Sequence, residues 1–386
     1  RMPELIHHTI SDMVRQRVGQ IACGYEDAND CDALRHDSAL KMLAGRKPSD
    51  DDLCSQPTMT RLENHVSNRD LYKMGMLFVE NFIKSYDKSP KKIIIDADDT
   101  NANTYGAQQL TLFNDYYGEY CYMPLLIYEG ISGKMILPIL RPGRRNKSLN
   151  VSKILIRIVA MLRKAWPNCR IELRGDSHFC SHEFMDWVCD QHSILLGFTT
   201  GLSSNEVLLK NIDKPLRRWR KYYGKEKKAV RHYYSFQYKA KSWKHEQRVI
   251  AKIEVNSMGE NIRFVVTSNR SNKPETVYRH YAGRGEMELW IKDLKAIRGD
   301  RMSCKSFRAN QFRLFLYAAA DVLLYNLKHK AFEGTEVESF TTESFVKRIM
   351  LSAVMIKDQK CAVRISFVPH HRHRAEIERF LRKIAA

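Results

Sequence analysis

Apolar positions along the first 90 residues recur at the spacing of helices. Three segments show this spacing: Met13 to Ile21, Ala33 to Ala44 and Leu71 to Ile83. Between the last two, Ser55, Pro57 and Glu63 follow one another in the pattern of a capped helix start. We therefore predict a helical region over residues 1–90. It forms either a small separate unit, such as a helix-turn-helix, or a lid packed on the rest of the chain.

From Lys92 the pattern changes to short apolar runs bounded by turn residues. Three runs predict successive strands of a meander: Lys92 to Asp98, Tyr120 to Tyr128 and Lys134 to Leu140. A helix, a strand, a helix and a strand are predicted after them, over Asn150 to Trp166, Arg170 to Asp176, Ser181 to Gln191 and Ser193 to Phe198. This order is typical of an RNase H-like mixed sheet, so the predicted fold class is α/β.

Residues 201–267 are predicted to be a β-rich insertion. Strand patterns run over Val230 to Lys239, Gln247 to Val255 and Asn261 to Thr267, the last two as a hairpin. From position 217 to position 248, twelve Lys and Arg stand against two acids, with eight aromatic residues among them. This mixture is typical of a surface that follows the DNA backbone and stacks on bases, with Arg217, Arg218, Trp219 and Arg220 as candidates. The alternative is a small β domain whose aromatic residues form its own core.

The later part of the chain is predicted to be mainly helical. Asn310 to Leu327 is apolar enough to be a buried helix, and Ser339 to Ile356 is predicted to be another. A strand over Ala362 to Phe367 and a basic helix over Arg374 to Ile384 complete the expected elements.

Composition and charge narrow the function. The chain of 386 residues has 44% hydrophobic residues and a net charge of +20, which favours a nucleic acid over a membrane as partner. No run reaches the roughly 18 apolar residues of a membrane span. Nine scattered cysteines, none in a Cys-x-x-Cys motif, predict reduced thiols in a cytoplasmic protein. Arg1-Met-Pro-Glu does not resemble a signal peptide, and the missing initial Met suggests a shortened chain.

A histidine-rich segment near the C-terminus contains potential metal ligands: His370-His371-Arg372-His373-Arg374. Because we found no carboxylate or cysteine partner at ligand spacing, we predict a basic surface element here rather than a metal site.

Acids that end predicted strands are candidate metal ligands. Asp96 and Asp98 point to the same side of the first strand, and Asp176 closes the strand that begins at Arg170. Magnesium-type ions require such oxygen ligands, several of them converging. The alternatives are a turn-forming acid cluster for the first pair and a helix cap for Asp176.

A third carboxylate lies in a charged helix. Tyr281, Arg284, Glu288, Lys292 and Lys295 are spaced to line one helical face, which suits a metal ion beside a phosphodiester backbone. An amphipathic helix with a solvated charged face is the alternative. Glu286 is a rival carboxylate, but it lies off this face.

These residues carry a resemblance to a known family. Tyr281, Arg284, Glu288 and Lys295 match the Tyr-Arg-Glu-Lys signature of bacterial insertion-sequence transposases, which resemble retroviral integrases in using two Asp and one Glu on an RNase H-like fold. The group it most resembles is the thirteen-eighty group. Further matching segments include Ser55-Gln-Pro-Thr58, Tyr105-Gly106-x-Gln108 and Leu173-Arg-Gly-Asp176.

The resemblance implies a DDE-type transposase with Asp98, Asp176 and Glu288 as its catalytic metal ligands. Asp98 matches the first position best because Thr100 follows it, and Asp96 is kept as an alternative or supporting ligand. Two Mg²⁺ ions, which Mn²⁺ could replace, would serve cleavage of transposon ends and transfer of the 3′-hydroxyl strand to target DNA. Tyr281, Arg284, Lys292 and Lys295 would bind DNA.

The implied partners are double-stranded DNA, as terminal inverted repeats and target, and a second copy of the chain on that DNA. A bacterial, nucleoid-associated location is implied, with no membrane. The rival functions are a structure-selective nuclease of the same fold and an inactive DNA-binding regulator. The predicted regions are a helical DNA-binding region (1–90), the first part of the core (91–200), the basic insertion (201–267), the second part of the core with the Glu helix (268–330) and an α/β extension (331–386).

Overall fold

A computed structural model describes residues 7–144, 151–179, 181–359 and 361–385 of the chain. The α-helices are α1 (Ile10–Ala22), α2 (Cys31–Leu34), α3 (Ser38–Leu43), α4 (Gln56–Asn64), α5 (Asn68–Lys84), α6 (Val151–Ala165), α7 (His182–Asp190), α8 (Glu206–Asn211), α9 (Asp213–Glu226), α10 (Pro274–Ala282), α11 (Met287–Ala296), α12 (Phe307–Asn326), α13 (Thr342–Phe345) and α14 (Arg374–Ala385). The helix start predicted at Asn150 lies outside the described residues.

The strands form one large sheet and two small ones. They are β1 (Lys92–Asp99), β2 (Ala102–Asn103), β3 (Leu112–Asn114), β4 (Glu119–Tyr122), β5 (Leu125–Glu129), β6 (Met135–Ile139), β7 (Arg170–Gly175), β8 (Leu196–Leu202), β9 (Val230–Tyr238), β10 (Gln247–Asn256), β11 (Gly259–Thr267), β12 (Val354–Gln359) and β13 (Ala362–Phe367). β2, β4 and β3 make a three-stranded sheet, and β12 pairs with β13.

The large sheet has eight strands in the order β6-β5-β1-β7-β8-β11-β10-β9. β1 pairs antiparallel with β5 and parallel with β7, and β7 pairs parallel with β8. The RNase H-like arrangement that the sequence predicts is formed by the first five strands of this order, from β6 to β8, with α6 and α7 between them in sequence. The α/β fold class is therefore confirmed.

The strands of the basic insertion continue this sheet. β11 pairs antiparallel with the last core strand, β8, over four residue pairs, and β10 and β9 follow it. The insertion also contains two helices, α8 and α9, which the strand-dominated prediction did not include. Apolar side chains of α8, α9, β10 and β11 belong to the same core cluster as those of β1 and α6.

β1 separates two hydrophobic cores. Ile93, Ile95 and Ala97 alternate along one face of the strand and pack in a core covered by α5, α6 and α7. The opposite face of the sheet is covered by α11 and α12, in a second core that includes Leu126 and Tyr128 of β5. α12 is buried over most of its length, as predicted.

The N-terminal helices pack on α12 through buried charges. Glu63 of α4 accepts from Arg17 of α1 at 3.0 Å and from Arg313 of α12 at 3.1 Å, and all three side chains are at most 3% exposed. The two guanidinium groups also donate to the backbone carbonyl of Glu26. Such desolvated charges are tolerated only when they are paired and hydrogen-bonded. This packing is the arrangement of the lid alternative, and DNA contact by these helices stays a prediction.

Two helices predicted as continuous are shorter. The segment from Ala33 to Ala44 divides into α2 and α3, because the Asp37 side chain accepts from the backbone N of Leu40 and starts a new helix. The helix predicted over Ser339 to Ile356 is wrong at its end: a π-helical turn ends at Met350, and Val354 begins β12. None of the described helices has the length and apolar composition needed to cross a membrane.

Candidate active site

Three carboxylates from distant parts of the chain line one cavity of about 840 Å³. Asp98 lies at the end of β1, Asp176 follows β7 directly, and Glu288 lies in the first turn of α11. β1 and β7 are parallel neighbours in which Ala97 pairs with Gly175, so the next residue of each strand reaches the same sheet edge. The helix that covers this edge supplies the third acid.

The Asp98 carboxyl group is partly buried beside a cation, Arg284, and another acid, Asp176. Burial raises the pKa of its carboxyl to about 6, Arg284 opposes this rise, and the nearby Asp176 adds to it. Nη1 of Arg284 lies 2.6 Å from Oδ2 of Asp98, and the other carboxylate oxygen accepts from the backbone N of Asp99 at 2.9 Å. Asp98 is thus a poorly solvated acid with one cation partner.

Asp176 also shapes the turn that follows β7. Its Oδ1 accepts from the backbone N of His178 at 2.7 Å, and its Oδ2 lies 3.2 Å from Nδ1 of the same histidine. The cap alternative therefore describes part of its environment. Because the side chain still lines the cavity, capping does not exclude a role as a metal ligand.

The Glu288 side chain makes no hydrogen bond or ion pair with any other described residue. It lies in a helical stretch that is not the single helix the spacing predicts: α10 ends at Ala282, a 3-10 turn covers Gly283–Glu286, and α11 begins at Met287. Met287, Ile291 and Leu294 are buried on one side of α11. Glu288, Lys292 and Lys295 are consequently directed to the other side, where they line the cavity with Arg284.

Asp96 is outside the cavity, although it shares a strand face with Asp98. Its carboxylate is fully buried and binds Arg174 through two contacts, Nε to Oδ1 at 2.7 Å and Nη2 to Oδ2 at 2.5 Å. Arg174 also donates to the carbonyls of His280 and Gly130. Burial raises the pKa of Asp96, and Arg174 opposes that rise. This pair joins β1, β7 and α10 beneath the three acids.

Tyr281 lies beside the site rather than in it. Its phenol packs so closely on Gly201 that a Cβ added to this glycine would lie 2.8 Å from the phenol oxygen. The backbone N of Ser177 would lie at the same distance from that Cβ. Burial raises the pKa of Tyr281, while the nearby Arg284 opposes the rise. Of the four Tyr-Arg-Glu-Lys residues, Arg284, Glu288 and Lys295 therefore line the cavity, and Tyr281 does not.

Other lining residues were not found from the sequence. They come from the end of β3 and the turn after it, from the turn after β7 and from Arg144: Asn114, Asp115, Tyr116, Tyr117, Arg144 and His178. A second cavity of about 680 Å³, lined by Tyr105, Gly106 and Gln108, adjoins the first where Lys295 donates to Asn101 at 3.0 Å. Among these, only Tyr105, Gly106 and Gln108 belong to a motif that the sequence shows. The turn residues belong to no helical or strand periodicity.

The four candidates in the basic insertion lie on α9, at the β9 end of the sheet and away from the acids. Arg217 pairs with Asp213 and Arg220 with Glu260. The Arg218 guanidinium lies 5.3 Å from the Trp219 ring centroid. Trp219 itself packs against the core, as do several other aromatics of the insertion: Tyr223, Phe236, Tyr238 and Trp243. Little of the Trp219 ring is free to stack on a base, and contact of α9 with DNA stays a prediction.

The three acids have the oxygen chemistry that a magnesium-type ion requires. Their ligand atoms do not all approach within 4.8 Å of one another; among the described residues, that closeness is found only in Glu336, His373 and Glu376, far along the chain. Asp98 is instead paired with Arg284 at 2.6 Å. A divalent cation fits this set of oxygen ligands when Arg284 releases the Asp98 carboxylate.

A family profile described as transposase DDE domain, group 1, matches residues 1–386. The chain belongs to the DDE transposase family. As a DDE transposase, the protein is a metal-dependent enzyme that cleaves DNA. Its fold is similar to that of piggyBac transposase, seen by cryo-electron microscopy in a synaptic complex with hairpin DNA, with a TM-score of 0.50. The two chains are 11% identical, and the match covers 90% of this chain and 72% of the other. No curated protein matches the sequence.

Proposed function

We propose that Asp98, Asp176 and Glu288 hold two Mg²⁺ ions with which this transposase cuts transposon ends and joins them to target DNA. The supporting observation is that these three acids line one cavity at the carboxyl ends of β1 and β7, together with four cations, Arg144, Arg284, Lys292 and Lys295. When bound, such ions activate the attacking water or 3′-hydroxyl and stabilise the leaving oxygen. Mn²⁺, which has the same preference for oxygen ligands, would replace Mg²⁺.

Arg284 has two successive roles in this proposal. In the free protein it neutralises Asp98 through the 2.6 Å contact. Once the acids share a cation, Arg284 would exchange Asp98 for a phosphate oxygen of the DNA, where a guanidinium can bind through two parallel contacts. Gly283 lies against Arg174, so the backbone before Arg284 is fixed while its side chain moves.

Lys292 and Lys295 would hold the strand on both sides of the cut. Both line the acidic cavity, and Lys295 also reaches the adjoining one through Asn101. That second cavity contains further cations, Arg298, Arg301 and Lys305. A backbone of phosphates crossing from one cavity to the other would meet these charges in sequence. Asp96 would act only indirectly, by fixing Arg174.

The substrates proposed are terminal inverted repeats and double-stranded target DNA, and the active form is a homodimer on that DNA. The Tyr-Arg-Glu-Lys spacing supports membership of the thirteen-eighty insertion-sequence group. The piggyBac structure contains hairpin DNA in a synaptic complex, which supports a DNA-bound assembly for this chain as well.

The test is cleavage and joining of labelled DNA that carries candidate terminal repeats, in Mg²⁺, Mn²⁺ or EDTA. Glu288→Ala should abolish both steps without loss of DNA binding. Glu286→Ala is the matched control, because Glu286 is an exposed carboxylate two residues away that does not line the cavity. Equal activity of the two variants would overturn the assignment of Glu288. Cleavage without joining of a precut end would identify a nuclease instead.

A further inference from the structure

A second cluster of metal-ligand side chains lies in the C-terminal extension. Glu336, His373 and Glu376 each present a ligand atom, and these three atoms lie within 4.8 Å of one another. Glu336 begins a 3-10 turn over Glu336–Ser339, and His373 and Glu376 lie at the start of α14. His373 was predicted to be part of a basic surface element, and this prediction is wrong because its side chain is only 2% exposed.

The imidazole of His373 has an unused nitrogen. Its Nε2 is buried and has no hydrogen-bond partner among the described residues. A buried polar atom without a partner is costly, and native proteins usually satisfy it with protein, water or an ion. Carboxylates from two different elements lie next to this imidazole, which places hydrogen-bond acceptors or metal ligands near it.

The neighbouring histidines do not share this property. Nδ1 of His371 accepts from the backbone N of His373 at 3.1 Å, and its Nε2 lies 2.8 Å from the Ser352 hydroxyl. Both of its nitrogens are therefore used. His370 is exposed. Only His373 in the tract combines burial with a free nitrogen and nearby acids.

The two carboxylates are also unpaired within the described part of the chain. Two cations of α14 are paired with other acids: Arg374 binds Glu378 at 2.6 Å, and Lys383 lies 3.8 Å from Glu333. A Glu at the third position of a helix often caps the helix start. Here the backbone N–H of His373 already donates to Nδ1 of His371, so Glu376 does not cap this helix start. Both carboxylates thus lie beside the His373 imidazole without an ion-pair partner in the described ranges.

The backbone that carries the three side chains is anchored. Val337 in the 3-10 turn and Ile377 in α14 are both buried in the second core. The ring of Phe340 packs edge-on against that of His373, with centroids 5.2 Å apart. Ligands on packed elements need only side-chain rotation to close on an ion.

We propose that Glu336, His373 and Glu376 form a structural transition-metal site that joins α14 to the turn at Glu336–Ser339. Imidazole with carboxylate is a ligand set that Zn²⁺ accepts, whereas Mg²⁺ prefers oxygen ligands alone. The site therefore differs in metal preference from the all-carboxylate active site. The proposal does not depend on the catalytic role of the three acids.

The experiment measures Zn²⁺ binding in an active-site variant, Asp98→Asn/Asp176→Asn/Glu288→Gln, so that the first cavity no longer supplies three carboxylates. In the presence of excess Mg²⁺ and a weak chelator, this variant should retain one Zn²⁺. Adding Glu336→Gln or His373→Gln should weaken Zn²⁺ binding at least about 100-fold. His370→Gln, an exposed histidine of the same tract, is the control and should leave binding unchanged.

Thermal unfolding gives a second readout. Zn²⁺ should raise the melting temperature of the variant with Glu336 intact and not that of the Glu336→Gln form. Because Glu336 is exposed, its replacement keeps the fold even if His373→Gln does not. No retained Zn²⁺, or equal retention with and without Glu336, would overturn the site. DNA cleavage assays decide the proposed function separately.

Discussion

Asp96 and Asp98 lie two residues apart on the same face of β1, but their surroundings differ. Asp96 is fully buried and has a bidentate arginine partner, Arg174. Asp98 faces the cavity, and its side chain is 15% exposed with one contact to Arg284. The first carboxylate holds structural elements together, while the second has the unfavourable environment typical of functional acids.

This contrast predicts opposite effects of two conservative substitutions on stability. Asp96→Asn should lower the free energy of unfolding by about 3–5 kcal/mol, because it leaves Arg174 buried and uncompensated. Asp98→Asn should leave stability unchanged or raise it by about 1–3 kcal/mol near pH 8, because an ionised acid with a raised pKa is removed. Urea unfolding measures both, and Asp98→Asn alone should fold normally yet cut no DNA. Equal destabilisation by the two substitutions would contradict this account.

The raised pKa of Asp98 also predicts a pH dependence. The unfolded acid titrates at 3.8 and the folded one at about 6, so the folded state binds more protons between these values. Wild-type stability should therefore fall relative to Asp98→Asn as pH rises from about 4 to 6, and the difference should stay constant above 6. Urea unfolding at pH 4.5 and pH 8 tests this, and a difference that shrinks with rising pH would oppose it.

The rate of metal-dependent cleavage should also depend on the protonation of Asp98. Below pH 6 a proton competes with the cation for Asp98, so at subsaturating Mg²⁺ the rate should fall roughly tenfold per pH unit. Raising the Mg²⁺ concentration should restore it. Initial rates at pH 5 to 8 and two Mg²⁺ concentrations test the competition. A loss that Mg²⁺ does not reverse would point to another group.

At the scale of elements, Gly201 couples three parts of the site. It lies near the end of β8, where a side-chain methyl would meet the backbone N of Ser177 and the phenol of Tyr281, each at 2.8 Å. The turn that carries Asp176 and the helix that precedes Arg284 therefore both rest against a strand that supplies no catalytic group. This packing places the Tyr281 phenol against Gly201 and outside the cavity lining.

Gly201→Ala should accordingly reduce cleavage more than it reduces stability. The clash involves backbone, so the Asp176 turn or Tyr281 must shift, and misplacement of about 1 Å can cost on the order of 100-fold in rate. Gly224→Ala is the control: nothing lies within 4 Å of the added methyl, and a helical Ala in α9 should stabilise by about 0.5–1 kcal/mol. Cleavage rates and urea midpoints compare the two. Full activity of Gly201→Ala would show that this contact does not position the site.

At the scale of the whole molecule, the net charge of +20 is distributed over more than one region. One set of cations borders the two adjoining cavities, and another lies on α9 at the far end of the sheet. Of the α9 candidates, Arg217 and Arg220 are paired with acids, whereas Arg218 has no carboxylate partner in the described ranges. Arg218 is thus the residue most available to a phosphate.

Arg218→Gln should weaken DNA binding equally for all sequences. It should also lower the slope of log affinity against log salt by about one, since one phosphate contact releases about one counterion. Lys347→Gln removes the same charge from an exposed residue already paired with Glu343, and should leave the slope unchanged. Fluorescence anisotropy over a range of salt concentrations gives both slopes. An unchanged slope for Arg218→Gln would place α9 outside the DNA footprint.

The sequence by itself determined the elements whose signals are local. The run of β-branched residues before Asp98, the apolar helix α12 and the hairpin of β10 and β11 follow from periodicity within single segments. Asp98 and Asp176 are predicted as metal ligands because each ends a predicted strand and matches the resembled family, and this role stays a prediction. Glu288 is predicted as the third ligand from the match of Tyr281, Arg284, Glu288 and Lys295 to the Tyr-Arg-Glu-Lys signature.

Only the tertiary structure decided which neighbours those residues have. It paired Asp96 with Arg174, 78 positions away, and so separated two aspartates that strand alternation treats alike. It continued the insertion strands into the core sheet and packed Trp219 against the core instead of leaving it exposed. It also brought Glu336 to His373. Such contacts join residues far apart in the chain, and because burial depends on those contacts, no local pattern contains the information.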